Sequence, residues 1–286
     1  MMGWLTKILF SAVFAIISIS CERETNWPLE TIDSDLIVVE GNITNENKNH
    51  EIRLSRPFND PNGFAPAVTG ADLIVSSADG VVSFYEDILR PGVYVSDQKF
   101  AGKPGRIYSL LISYQGEIIS AKAGMVPAAD FVFLRYIRHS NTKLFRIIWV
   151  ANTYNARRAA MYEIQLDWSG VAGYEHLPQD STTARLIYYT LPTLDVNQIF
   201  APALETVLFP PGTIITETRY SLTEEHAGYI RALLSETAWQ GGYFNSASAN
   251  LPTNLSGNGI GFFGACAVTT KTEVARIILL KCETEQ

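Results

Sequence analysis

Strict alternation of apolar and polar residues is the feature that most limits how this chain can fold. Tyr108, Leu110, Ile112 and Tyr114 alternate without interruption, and Gln115-Gly116 then turns the chain back into Ile118. Successive side chains of a strand point to opposite faces, so this period describes a half-buried strand and not a helix. Glu51 to Ser55 and the series Ala71, Leu73, Val75 repeat it. Asp79-Gly80 supplies a favourable hairpin turn into Val82 and Phe84. Leu36 to Val39 is a compact apolar run ended by Glu40-Gly41-Asn42. Turn signals recur about every ten residues, and the segment 35–127 therefore reads as a β-sandwich.

Met125-Val126-Pro127-Ala128-Ala129-Asp130 punctuates the pattern and marks a boundary. Beyond it, 130–286 reads as a second β-rich domain. Phe145, Ile147, Trp149 and Ala151 alternate, as do Tyr162, Ile164, Leu166 and Trp168, and then Ile214, Thr216, Thr218 and Tyr220. The expected fold class is mainly β, a tandem β-sandwich with one helix in the C-terminal half. The first sandwich is expected to be immunoglobulin-like. The second resembles a fibronectin type III domain.

The helix interrupts the alternation. Ser221-Leu222-Thr223-Glu224 fits a capping box with Ser221 as N-cap, and Thr223 can cap instead. Ala227, Ile230 and Leu234 fall on one helical face, and Gly241-Gly242 ends the run. The expected span is 223–239. A polar loop, 242–259, follows, and then a final strand pair with Phe262-Phe263 near its start and Ile277 to Leu280 near its end.

The N-terminus sets the compartment. Lys7 precedes an apolar run, Ile8 to Ile19, that is too short to span a bilayer and ends in Ser18-Ile19-Ser20-Cys21. A small residue before a cysteine is the requirement of lipoprotein signal peptidase. Residues 1–20 are thus expected to be a signal peptide, Cys21 the lipidated first residue of the mature chain, and 21–34 a polar tether. Ser18 departs from the Leu or Val usual at that position. Each buried methylene of an acyl chain contributes ~0.8 kcal/mol, so several chains on one residue make a stable anchor. Such a protein sits on the outer membrane, facing the periplasm or the cell surface.

The remaining cysteines, Cys266 and Cys282, lie in a compartment that permits disulfides. Their pairing would close a loop of about sixteen residues and contribute ~3 kcal/mol. Two buried free thiols on neighbouring strands are the other reading. The chain has 22 basic and 29 acidic residues, which leaves no electrostatic footprint for nucleic acid.

The chemistry of known catalytic motifs is missing from the sequence. His50, His139, His176 and His226 do not stand at metal-ligand spacing, and no His-Glu-x-x-His or Gly-x-Ser-x-Gly stretch occurs. Glu224-Glu225 is a pair of carboxylates, but the first turn of a helix favours acidic residues for the sake of the macrodipole. No catalytic residue, metal ligand or cofactor is expected. The best ligand-binding candidate is the loop after the helix, where Trp239, Tyr243 and Phe244 lie close to Asn250 and Asn254. Aromatic faces beside amides suit a glycan or a peptide. The same residues also suit an ordinary loop, with aromatics packed beneath it and asparagines in its turns.

Taken in order, Leu36 to Asn45, Arg53-Leu54-Ser55-Arg56, Val68-Thr69-Gly70-Ala71, Tyr220-Ser221-Leu222-Thr223, Leu251 to Ser256 and Gly261-Phe262-Phe263-Gly264-Ala265 resemble a family of outer-membrane lipoproteins. It is catalogued as domain of unknown function forty-two forty-nine. The resemblance covers nearly all of the mature chain. It implies an accessory lipoprotein, since members are commonly encoded beside TonB-dependent receptors that import bulky nutrients. It carries no established catalytic residues to transfer. The expected function is a non-catalytic accessory or ligand-capture subunit of such a system. A structural or adhesive surface lipoprotein is the alternative, and a secreted hydrolase a distant third.

Overall fold

The computed structural model describes residues 35–58, 63–129, 131, 134–193, 206–237 and 251–276. Among the described residues the chain is mainly β, with one α-helix in its C-terminal half. Cys21, Trp239, Tyr243, Phe244, Asn250 and Cys282 lie outside the described residues.

The first sheet is built almost entirely by the alternating segments. Its strands are β1 (Ile37–Thr44), β2 (Glu51–Ser55), β3 (Asp72–Ser77), β4 (Gly80–Glu86), β5 (Val93–Ser96), β6 (Ile107–Tyr114) and β7 (Glu117–Gly124). The turn at Asp79-Gly80 joins β3 to β4, with Gly80 at φ +140°. Gln115 and Gly116 both have positive φ, as a two-residue hairpin turn with the native strand twist requires. Alternate residues from every strand meet in one core, among them Val39, Ile52, Leu54, Leu73, Leu110 and Ile112.

Tyr94 ties a loop into this core. Its hydroxyl accepts from the Ala71 amide at 3.0 Å and donates to the Val68 carbonyl at 2.9 Å. Tyr94→Phe leaves the buried Ala71 N–H unpaired and is expected to lower stability by about 1–2 kcal/mol in urea unfolding. A loss under a few tenths would show that this amide finds another partner.

The second sheet has the order β11-β10-β12-β14, all antiparallel: β10 (Ala160–Asp167), β11 (Thr183–Thr190), β12 (Ile214–Ser221) and β14 (Val268–Val274). The hairpin of β8 (Arg135–Arg138) and β9 (Phe145–Trp149) shares its core, where Phe145, Phe209, Ile164, Leu166 and Trp168 pack together.

Among the described residues the last two strands do not pair with each other, and Ile277 to Leu280, the expected end of the final pair, lie outside those residues. β13 (Gly259–Cys266) and β14 are consecutive but enter different sheets. β13 runs parallel to β1, with Ile37 opposite Gly259 and Thr44 opposite Cys266. β14 runs antiparallel to β12. Ala267, fully buried, is the crossing point, and Asn45 holds it: Oδ1 accepts from the Val268 amide at 2.6 Å and Nδ2 donates to the Val268 carbonyl at 3.2 Å. The first sheet thus has eight strands, in the order β13-β1-β2-β5-β4-β3-β6-β7. The boundary at 127 separates its first seven strands from the rest along the chain, but its eighth comes from beyond that boundary. Bridges from Ala121 to Leu255 and from Val126 to Cys266 draw its two ends together, so the sheet is nearly closed.

Candidate functional site

The helix α1 (Glu224–Glu236) lies between the two sheets. Thr223, not Ser221, is its N-cap: Oγ1 accepts from the His226 amide at 3.2 Å. Ser221 instead ends β12, so the capping box with Glu224 does not form. Ala227 and Ile230 are buried, and Leu234 packs with them against Leu222 and Cys266, the apolar face that the spacing specifies.

Outward-facing residues of β1 and β13 make the helix seat. Glu40 stands opposite Phe262, Asn42 opposite Gly264 and Thr44 opposite Cys266. Gly264 leaves a hole for the imidazole of His226: a Cβ there would lie 2.6 Å from Cε1. His226 and Tyr229, three residues apart on the helix, both stack on Phe262, with ring centroids 4.6 and 5.0 Å away.

Beside this stack opens a cleft of about 690 Å³. The rings of His226, Tyr229 and Phe262 line it with Ile230 and Leu233, while Glu40, Asn42 and Arg53 add polar groups. Glu40 and Arg53 are cross-strand partners on β1 and β2. Both are exposed, and among the described residues neither has an ion-pair partner within 4.0 Å. By contrast Glu51, at the margin, is held by Arg90 through bonds of 2.7 and 3.0 Å. The cleft therefore presents an aromatic wall beside two opposite charges available to a ligand.

Cys266 lies at the base of the cleft, its Sγ 3.6 Å from His226 Nδ1. Burial pushes the thiol up to about 12, slightly offset by the Asn42 amide, and pushes the imidazole down to about 4. Both groups stay neutral between these values. A nucleophilic cysteine needs the opposite order, a thiolate beside an imidazolium. Cys266, His226 and Asn42 together make a buried polar contact, with Asn42 Oδ1 lacking a hydrogen-bond partner. Cys266 is buried and has no disulfide partner among the described residues; its expected partner, Cys282, lies outside them. Among the described residues no three His, Cys, Asp or Glu side chains gather as metal ligands.

Of the five residues expected to bind a ligand, only Asn254 is among the described residues. Its Nδ2 donates to the carbonyls of Lys122 and Phe263, at 3.0 and 2.7 Å, and Oδ1 accepts from the Phe263 amide at 3.1 Å. Those bonds staple the loop to β7 and β13. The structure does not bring Asn254 into the cleft. Sequence reading missed Glu40, Arg53 and Phe262 there. Tyr229 was missed as well, and His226 was noted only for its lack of metal-ligand spacing.

The fold and site define a mainly β protein with a helix seated between two sheets and a mixed aromatic and charged cleft at its edge. The chain belongs to the family described as domain of unknown function DUF4249, whose model matches residues 22–272. No curated protein matches it. Among solved structures it is similar to a DUF4785 family protein from Legionella pneumophila, with 13% identity and a TM-score of 0.20. That likeness covers 64% of this chain and 52% of the other, so the chain spans about half the length of that protein.

Proposed function

We propose that this chain is a non-catalytic outer-membrane lipoprotein, anchored through Cys21, that captures ligand as an accessory subunit of a TonB-dependent nutrient uptake system. The observation that carries the ligand-capture part is the cleft. Stacked aromatics beside the unpaired Glu40 and Arg53 match a peptide or glycan, whose surface mixes apolar and polar groups. The anchor rests on the Ser20-Cys21 junction and the apolar run before it. Among the described residues no helix is long and apolar enough to cross a membrane, so attachment on this reading falls to the lipid. The receptor partnership rests on the family resemblance.

The finer architecture belongs to the same proposal: an immunoglobulin-like module followed by a fibronectin-III-like one, presenting the cleft where they meet the helix. Its support is the division of the core into one cluster under each sheet.

Two measurements test the reading. Tagged protein is extracted from outer membranes in mild detergent and its co-purifying proteins are identified. A TonB-dependent barrel in near-equal amount is the expected result, and its absence defeats the partnership. Cys21→Ala is expected to remove acyl-chain labelling and move most of the protein out of the membrane fraction. Full retention in the membrane without the label would defeat the anchor.

A further inference from the structure

A second cavity, of about 570 Å³, opens at the N-terminal end of α1. Arg157, Arg158, Arg219, Ser221, Thr223 and Glu224 line it, and segment 126–129 forms another wall. Three arginines and one glutamate are among its lining residues, so its walls carry a net positive charge.

Arg219 is the informative residue, because it is only 3% exposed. Its Nε donates to the Tyr162 hydroxyl at 3.3 Å, its Nη1 to Ser221 Oγ at 2.7 Å, and the guanidinium lies 5.7 Å from the Tyr162 ring centroid. Among the described residues no carboxylate lies within ion-pair distance of it, and no hydrogen bond engages its Nη2. Neutral hydroxyls occupy two of the five N–H donors and leave the charge uncompensated. A buried charge without a counter-charge is costly unless something else supplies one. Glu217 lies two residues away on the same buried face of β12 but does not pair with it. The guanidinium turns the other way, toward Ser221 and the cavity.

The other walls add donors. The amides of Arg157 and Arg158 both bond Asn155 Oδ1, at 3.0 and 3.1 Å, which fixes the turn that carries these exposed side chains. The first turn of α1 adds backbone N–H groups and the positive end of the helix dipole. Donors thus converge from three separate segments, which suits a tetrahedral oxyanion better than a flat carboxylate.

We propose that this cavity binds an oxyanion of the phosphate and sulfate class, carried on a soluble ligand, with Arg219 as its buried contact and Arg157 and Arg158 closing over it. The inference is separate from the cleft, since it uses neither Glu40 nor Arg53.

The test is calorimetric titration of the full chain with inorganic phosphate and with sulfate at low ionic strength. Saturable one-to-one binding of either is expected. Arg219→Met and the double variant Arg157→Gln, Arg158→Gln should each weaken it by roughly tenfold or more, as the loss of charge-assisted hydrogen bonds does. The thermal midpoint of ligand-free Arg219→Met should equal or exceed that of the parent, because an uncompensated charge has been replaced by an apolar group of similar size. If that variant fails to fold, the exposed double variant decides alone. Overturning results are absence of saturable binding of both ions, or binding unchanged in the folded variants. Attachment to phosphatidylglycerol vesicles by the Cys21→Ala chain, without binding of either free ion, overturns the soluble source in favour of a lipid headgroup.

Discussion

Replacing Gly261 with alanine is expected to destabilise the fold by about 3–5 kcal/mol, the strain of a left-handed residue added to a core overlap. Gly261 sits inside β13 with φ +93°. L-residues rarely adopt that conformation, so a side chain there is strained wherever it points. Here it also has no room: a Cβ would run into the carbonyl oxygen of Val39, its partner across the parallel ladder, and lie 3.2 Å from the Val39 nitrogen. Backbone cannot swing aside as a side-chain tip can. Either β13 separates from β1 or both strands shift, and the seat of α1 on Phe262 and Cys266 shifts with them. Gly170→Ala is the control, since nothing lies within 4 Å of a Cβ there, and it should stay within about 0.5 kcal/mol of the parent. Urea unfolding of both variants measures the difference. A loss below about 1 kcal/mol for Gly261→Ala would contradict the parallel β1–β13 register.

The second large effect concerns pH. Glu217 is buried on β12, its Oε1 without a hydrogen-bond partner, and burial raises its carboxyl to about 7 despite Lys271 nearby; Glu273 pushes the same way as burial. The folded protein therefore holds this proton more tightly than the unfolded chain does. Its contribution to stability is complete below the unfolded value of 4.5 and is lost as pH rises through about 7. His226 acts in the opposite sense. Its imidazole falls to about 4 on burial against Cys266 and Phe262, so the unfolded chain takes up its proton first. That contribution is present above 6.5 and is lost as pH falls toward 4.

Over the shared window, from about pH 4.5 to 6.5, the two slopes have opposite signs and similar size, on the order of 3 kcal/mol end to end. The parent's urea midpoint should therefore show only the smaller rise with pH that His50 adds, because burial lowers its imidazole in the same sense as that of His226. Glu217→Gln should expose the histidine's slope, with stability rising with pH, and should gain most over the parent above pH 7. His226→Leu should expose the glutamate's slope, with stability falling as pH rises, whatever its overall loss. Parallel pH profiles for the parent and both variants would show that neither group is held as its burial implies. The paired carboxylates Glu46 and Glu163 are held below the usual range, by Lys48 and Arg185 respectively, and add their own loss only at the acid end of the window and below it.

Much of the local structure was legible beforehand. Tyr108 to Tyr114, Gln115-Gly116 and the return through Ile118 form the hairpin that their alternation specifies. Ala227, Ile230 and Leu234 face inward because three- and four-residue spacing places them on one side of a helix. These features depend on neighbours within a few residues. The candidate site was much less legible. Glu40 read as the end of a strand that in fact runs on to Thr44, Arg53 as a polar position of an alternating strand, and Phe262 only as a residue near the start of a final strand. His226 gave no motif, because its partners Cys266 and Phe262 are some 40 residues away in a different element. Ser221 read as the N-cap, with Thr223 as the alternative; the pairing of Ser221 with Ala160 on β10 kept Ser221 in the sheet and left the cap to Thr223.

By itself, the sequence determined the mainly β class, the hairpin turns at Asp79-Gly80 and Gln115-Gly116, the helix face and the family, since each is written in short-range pattern or in ordered short motifs. Tertiary structure alone decided that β13 and β14 part at Ala267, and with that where both cavities lie. The reason is the geometry of sheets. Any alternating strand can add to any free edge, and the choice rests on partners far apart in the chain, such as Ile37 with Gly259 and Glu217 with Lys271. The same long-range pairing turned Arg219, an unremarkable residue in an alternating segment, into a buried cation that faces a cavity.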